Sequence, residues 1–238
     1  MNVAIVVAAG KGTRLGGDRP KQFLELGRIP IIIHTLRQFE RSKEIDRVVV
    51  VLPPDKVATF PSLARGFKIG KFWRAVAGGA TRARSVLSGL ESIETADVIA
   101  VHDGVRPFVS ADEIDRVTKT ARQHGAAILV APVLDTIKEI HDNQIVRTPA
   151  RAILRRALTP QCFLFDTLRR AYSRLPDLEA AGVEVTDDCF LVEQIGVEIT
   201  AVEGSARNIK ITSVEDLVVA EGILKKLETQ GLGPETAS

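Results

Sequence analysis

The 238-residue chain has two cysteines, one methionine, one tryptophan and one tyrosine. Cys162 and Cys189 are too few for a disulfide framework and lack metal-type spacing, so both read as reduced, structural residues of a cytoplasmic protein. Neither sign of charge dominates. With 32 basic and 30 acidic residues the net charge is +2, which gives no global field of the kind that nucleic-acid binders show. Any basic patch must be local. No apolar run reaches the ~20 residues of a membrane helix, and no signal-type segment precedes the first strand candidate, so we expect a soluble chain that is not exported. Internal repeats and low-complexity tracts are also missing. The polar, glycine-rich tail Gly231–Ser238 reads as disordered.

The chain is 45% hydrophobic, enough at this length for one large α/β domain spanning 1–238. Strand candidates are Val3–Ala8, Arg47–Leu52, Phe72–Ala77, Val98–His102, Ala127–Pro132 and Glu198–Val202. Most are continuous apolar runs, the pattern of strands covered on both faces. Amphipathic stretches at Ile31–Arg41, Arg82–Ile93, Asp112–His124 and Val214–Leu227 alternate with them, which predicts a doubly wound sheet. Ser110 and Ser213 are suited to cap the last two. One segment departs from this order. Asp135–Ile140 and Ile145–Thr148 alternate apolar and polar residues around His141–Gln144, which predicts a projecting β-hairpin. An isolated hairpin is marginal in water, so it needs either a subunit interface or a surface of its own domain.

The first strand runs into Ala8-Ala9-Gly10-Lys11-Gly12-Thr13-Arg14, with Lys21 close behind. Glycine lets a backbone turn with positive φ and approach a ligand, and N–H groups in such loops cradle phosphates. Arg14 and Lys21 would add charge for a polyphosphate. The dinucleotide fingerprint fails because Leu15 stands where its third glycine belongs, and the P-loop pattern has no match at its spacing. Further polar groups follow the later strands: Gly78-Gly79-Ala80-Thr81-Arg82 with Ser85, then Asp103-Gly104-Val105-Arg106, then Asp135-Thr136. Arg151, Thr159, Thr186-Asp187-Asp188 and Asn208-Ile209-Lys210 complete the set. In open sheets ligands bind beyond the carboxyl ends of the strands, so these residues would line one crevice.

Seven motifs in order, AAGKGTRLG…PKQ, GGATRARSV, VHDGVRPF, DTIK, TPQ, TDD and NIKIT, carry a resemblance over about residues 1 to 228. The chain resembles the 2-C-methyl-D-erythritol 4-phosphate cytidylyltransferases of the non-mevalonate isoprenoid pathway. The resemblance implies a Rossmann-like nucleotidyltransferase sheet and a homodimer interlocked through the arm at about residues 133–158. It also implies the reaction of CTP with methylerythritol phosphate to give the CDP-alcohol and pyrophosphate. Arg14, Lys21 and Lys210 would be catalytic, stabilising charge on the α-phosphorus. CTP would lie against Ala8, Ala9, Gly10, Lys11, Gly12 and Thr13, and against Gly78, Gly79, Ala80, Arg82, Ser85, Asp103 and Gly104. Relatives often carry Asp where Ala80 stands. Asp103, Arg106, Thr136, Arg151, Thr159 and Thr186 would hold the acceptor, with Arg151 able to reach the neighbouring subunit's site. Mg²⁺ is expected on the triphosphate, with Asp103 as the protein carboxylate beside it.

The chemistry agrees with the residue types. Joining a nucleoside triphosphate to a phosphate monoester brings two anions together, so the protein must neutralise charge and align an in-line attack. The monoester has a second pKa near ~6 and needs no side-chain base at neutral pH. His102 beside Asp103 therefore reads as a packed strand-end residue, Asp187 and Asp188 as helix-starting acids, and Cys189 as core. Two other readings remain: transfer to ribitol 5-phosphate, and a regulatory module that binds CTP without chemistry.

Overall fold

The computed structural model describes residues 1–10 and 20–230. Lys11, Gly12, Thr13 and Arg14 of the opening loop, and the tail expected to be disordered, lie outside the described residues. The first half holds β1 (Val3–Val7), β2 (Glu25–Leu26), β3 (Ile29–Pro30), α1 (Ile31–Arg41), β4 (Arg47–Leu52), α2 (Pro54–Val57) and α3 (Phe60–Gly66). Then come β5 (Phe72–Ala77), α4 (Arg82–Glu91), β6 (Val98–Asp103), α5 (Ala111–His124) and β7 (Ala126–Pro132). The arm strands β8 (Glu139–His141) and β9 (Gln144–Arg147) follow, and β10 (Arg155–Leu164) returns to the sheet. The chain closes with α6 (Phe165–Tyr172), α7 (Leu175–Ala180), α8 (Asp188–Glu193), β11 (Thr200–Glu203) and α9 (Val214–Thr229).

Seven strands form the main sheet in the order β11-β7-β10-β6-β1-β4-β5. β1 pairs in parallel with β4 and β6, β4 with β5, and β7 with β11. This is the expected doubly wound α/β sheet, in which alternate side chains serve opposite cores. Ala4, Val6 and Val50 pack with Ile32, Leu36 and Phe39 of α1 on one face. Val3, Ile5 and Val51 pack with Val86 and Leu90 of α4 and Leu168 of α6 on the other.

The short pair β2 and β3 was not expected from sequence, and neither was one strand of the main sheet, β10, which runs antiparallel between β6 and β7. Pro160 in its middle cannot donate to a ladder and reads in sequence as a break. The structure absorbs the break with a register shift between Ala157 and Gln161 against β7. α2, α3, α6, α7 and α8 were also not anticipated as helices, apart from the helix start at Asp187. Bounds moved by one or two residues elsewhere: β1 stops at Val7, β6 extends to Asp103, β11 covers Thr200–Glu203 and α4 stops at Glu91. Both serine caps are present. Ser110 and Ser213 each form a capping box, with Glu113 and Asp216. Glu113 also accepts the backbone N–H of Ser205, tying the start of α5 to the segment that leads to Lys210.

The hairpin is also present, with a two-residue turn at Asp142 and Asn143, both at positive φ (45° and 62°). Its strands are exposed throughout.

His102, next to last in β6, is fully buried and edge-on to the Phe39 ring at 5.1 Å. Burial pushes its imidazole down from 6.5 to about 4, so it is neutral. Nε2 lies 3.1 Å from the Arg106 carbonyl and must donate to it; Nδ1 accepts from the Thr159 hydroxyl at 2.9 Å.

Two outcomes follow from this packing. Gly89 of α4 lies so close to the sheet that an added Cβ would meet Ile5 Cγ2 at 2.7 Å and Val51 Cγ2 at 3.0 Å. Gly89→Ala, which raises helix propensity, is nevertheless expected to destabilise the chain by about 1–3 kcal/mol in urea unfolding. As for pH, the unfolded His102 takes up a proton below about 6.5 and the folded one only near 4. The unfolded state therefore binds more protons in that window, and stability falls as the pH drops through it. His102→Gln is expected to remove up to about 3 kcal/mol of that slope, measured as unfolding free energy at several pH values; an unchanged slope contradicts it.

Candidate active site

The carboxyl ends of β1, β5 and β6 come together because each strand end hydrogen-bonds its neighbour. Ala8 N–H donates to Val51 O, Gly78 N–H to Leu52 O and Gly104 N–H to Val7 O, each at 2.8 Å. Gly78 and Gly104 permit the approach. A Cβ at Gly78 would stand 2.2 Å from Ala9 Cβ, and one at Gly104 would stand 2.9 Å from Ala8 Cβ. Gln22, buried behind the loop, donates its amide to Ala8 O (2.5 Å) and Gly10 O (3.2 Å) and so holds the end of β1. Ser85 braces the second glycine turn by accepting from Gly79 N–H at 3.1 Å and donating to Thr81 O at 2.9 Å. Thr81 caps α4 through Arg84 N–H.

These ends enclose a cleft of about 630 Å³. Of the expected residues, Ala8, Ala9, Gly10, Lys21, Gly79, Ala80, Arg82, Ser85, Asp103 and Lys210 line it. Gly78 and Gly104 support it from behind.

Asp103 is the centre of the polar structure. Its Oδ1 accepts from Arg82 Nε at 3.2 Å, and its Oδ2 accepts from Arg106 Nε at 3.2 Å and Lys210 Nζ at 3.0 Å. Burial alone would raise this carboxyl, but the charges of Arg82, Lys210 and Arg106 outweigh it and hold Asp103 well below the usual carboxylate range. It is ionised throughout the working pH range. Arg82 is shared: its Nη2 donates to Asp188 Oδ2 at 2.9 Å. Despite burial, the two carboxylates hold its guanidinium more firmly protonated than usual. Arg106 continues the chain through Nη1 to Asn208 O at 2.8 Å, and Asn208 Nδ2 donates to Thr159 O at 2.7 Å.

The residues expected at the acceptor are more widely placed. Arg106 reaches Asp103, and Thr159 lies buried beneath it, where its hydroxyl accepts from Asp103 N–H at 3.2 Å and donates to His102. Thr159 thus props the site from below. Thr186 is exposed just before α8. Thr136 and Arg151 are exposed at the arm, where Arg151 Nη1 donates to Leu134 O at 2.7 Å. They do not line the cleft of their own chain.

His102 has both ring nitrogens committed and cannot serve as a base. Cys189 is buried core, its thiol pushed up by burial, and Cys162 is pushed up to about 12 by the same cause. Asp187 caps α8 by accepting from Phe190 N–H. Asp188 does more than start a helix, as its bond to Arg82 shows. Gln161, a crevice residue of the TPQ motif to which the sequence assigns no role, is a brace: its Oε1 accepts from Asp188 N–H and Cys189 N–H at 3.0 and 3.1 Å, and its Nε2 donates to Asp187 at 2.7 Å. The available signal was the second acid of the Asp-Asp pair, since a helix cap needs one.

Residues 2–226 match the 2-C-methyl-D-erythritol 4-phosphate cytidylyltransferase family. The chain is 42% identical to the enzyme of that name from Geobacter metallireducens, covering 94% of this chain and 97% of the relative. It superposes with a TM-score of 0.83 on the 4-diphosphocytidyl-2C-methyl-D-erythritol synthase of Anaerococcus prevotii, at 30% identity, covering 94% of this chain and 96% of that one. The cytidylyltransferase of Thermus thermophilus gives a TM-score of 0.73 at 33% identity, covering 94% and 98%. The glycine turns, the Asp103 cluster and the seven-stranded sheet thus sit in a chain that belongs to the 2-C-methyl-D-erythritol 4-phosphate cytidylyltransferase family.

Proposed function

We propose that this chain transfers the cytidylyl group of CTP to 2-C-methyl-D-erythritol 4-phosphate, giving 4-diphosphocytidyl-2-C-methyl-D-erythritol and pyrophosphate. The observation that carries the reading is the Asp103 cluster. Three cations meet one carboxylate at the edge of a cleft built from two glycine turns, and Lys21 lines the same cleft.

The acceptor's phosphate oxygen attacks the α-phosphorus of CTP. A new P–O bond forms, the bond to the oxygen bridging α- and β-phosphorus breaks, and pyrophosphate leaves with the electron pair. The dianionic monoester supplies its own nucleophile, so no side chain need accept a proton. Lys21 and Lys210 carry the charge stabilisation at phosphorus, with Arg14 joining them on the strength of the sequence motif. The cleft backbone at Ala9, Gly10 and Gly79, with the Ser85 brace, holds the base. Arg82 and Asp103 face the same cleft and order the cations. Arg106, Thr159 and Thr186 would serve the acceptor, and Thr136 and Arg151 would do so in a neighbouring subunit.

The residues present fit a magnesium ion carried by the nucleotide. Among the described residues no three His, Cys, Asp or Glu groups cluster for a metal, but Mg²⁺ keeps water and phosphate ligands and needs only one or two carboxylates, and Asp103 faces the cleft. When bound, it would neutralise triphosphate charge and help hold the phosphates for in-line displacement.

The reading treats residues 1–238 as one nucleotidyltransferase domain whose arm pairs with a second copy. Leu134, Ile140, Ile145, Val146 and Ile153 expose more than half of their surface on or beside the arm, an apolar display that a partner would cover. No helix among the described residues is long and apolar enough to cross a membrane. Two buried free thiols accord with a cytoplasmic location.

Pyrophosphate release from CTP tests the reading. Methylerythritol phosphate is expected to exceed ribitol 5-phosphate at least about tenfold in kcat/KM, and the reverse order overturns the choice of acceptor. Lys210→Met is expected to lower kcat by about 10²–10³ with a much smaller change in CTP affinity; a CTP sensor would show no turnover in either form. Ile140→Asp with Ile145→Asp is expected to give a monomer in sedimentation, and a wild-type sedimentation coefficient contradicts the arm's role.

A further inference from the structure

We propose that Asp188 is a positioning residue for the transfer: by holding one end of Arg82, it keeps Arg82 on a single oxygen of Asp103 and leaves the other oxygen to Arg106 and Lys210. The inference rests on the cytidylyltransferase reading of the cleft.

Asp188 is fully buried, and each of its oxygens has a partner: Oδ2 accepts from Arg82 Nη2 at 2.9 Å and Oδ1 from the Tyr172 hydroxyl at 2.5 Å. Burial, reinforced by the charge of Asp188, keeps the Tyr172 phenol protonated and therefore a donor. The backbone at Asp188 is fixed as well, because Gln161 Oε1 accepts from Asp188 N–H and Cys189 N–H. Helix capping does not account for the residue, since Asp187 supplies the cap.

Arg82 shows what the arrangement does. It meets Asp103 through Nε alone, while Nη2 is turned to Asp188. A guanidinium facing one carboxylate prefers the two-pronged geometry, with parallel N–H bonds to both oxygens. Without Asp188, Arg82 would be free to turn both nitrogens onto Asp103 and compete for Oδ2, where Lys210 is now held at 3.0 Å. Lys210 is the cation assigned to the α-phosphate. A buried ion pair is often no more stabilising than apolar residues of the same volume, so the pair's particular contribution is geometry. It also joins α4, which begins at the nucleotide's glycine turn, to the start of α8 beside Thr186, across 106 residues of sequence.

The test combines structure, binding and turnover in Asp188→Asn. Its crystal structure is expected to show two Arg82 nitrogens on Asp103 and Lys210 Nζ beyond hydrogen-bond distance. Turnover is expected to fall about 10–100-fold in kcat, as small misplacements do. CTP affinity by calorimetry is expected to stay within about threefold, because Ser85, Thr81 and Gln22 hold the glycine turns without touching Asp188. An unchanged Arg82–Asp103–Lys210 arrangement, a kcat within about twofold of wild type, or a CTP affinity that falls as far as kcat overturns the proposal. If Asp188→Asn does not fold, Tyr172→Phe removes one bond to Asp188 and leaves every charge in place. It is expected to lower kcat about three- to tenfold at unchanged CTP affinity, and wild-type kcat overturns the proposal. Wild-type turnover of methylerythritol phosphate tests the assigned reaction. The Arg82 and Lys210 positions are read without turnover, so the two failures are distinguishable.

Discussion

The Asp103 carboxylate is the constraint on which the site depends. A lone buried carboxylate would be costly and would take up a proton, and three adjacent cations would repel one another. Together they are stable: the anion holds Arg82, Arg106 and Lys210 within 3.2 Å of its two oxygens, and they keep it ionised. The rest of the fold aims this cluster. Strand β6 delivers Asp103 to the carboxyl end of the sheet, Thr159 of β10 fixes its backbone N–H, and the segment after β11 brings Asn208 and Lys210 across to meet it. Glu113 of α5 steadies that segment through Ser205.

Much of this was legible because it is written in local pattern. Continuous apolar runs marked β1, β4 and β6, and serine caps marked the starts of α5 and α9, since burial on both faces and capping leave short-range signatures. The hairpin was legible in the alternation on either side of the polar His141–Gln144 segment, within which the structure puts Asp142 and Asn143 at positive φ. What escaped notice depends on distant neighbours. β10 is interrupted by Pro160, and only the flanking strands β6 and β7 make it a strand. Gln161 and Tyr172 converge on Asp188, which in turn holds Arg82, from separate elements, and no spacing rule relates them. Thr159 was legible as a polar residue of the crevice, but whether its hydroxyl meets substrate or His102 is decided by the depth of β10, which composition does not encode.

The charge count explains why a cleft for anions contains carboxylates at all. Asp103 and Asp188 set against Arg82, Arg106 and Lys210 leave one positive charge. Were all these cations unpaired, they would be mutually repelled and free to adopt many rotamers, with the ordering entropy still to be lost when the triphosphate arrived. Pairing them in advance spends part of their attraction on Asp103 and Asp188 and fixes where the remainder points. Electrostatic stabilisation of a transition state works through such preorganised groups, which need no reorganisation as charge develops.

The division among the cations follows from exposure. Arg82 and Arg106 are largely buried and bound at both ends, to Asp188 and Asn208 respectively, so they serve as fixed parts of the frame. Lys210 has a side chain 39% exposed, and in the proposed reaction its compact ammonium on a flexible stem would exchange Asp103 for a phosphate oxygen without disturbing that frame. An arginine in its place would grip Asp103 with a fork and exchange less readily. The site thus needs a lysine where charge must move and arginines where it must stay, and the second carboxylate at Asp188 keeps one of those arginines from closing on the first.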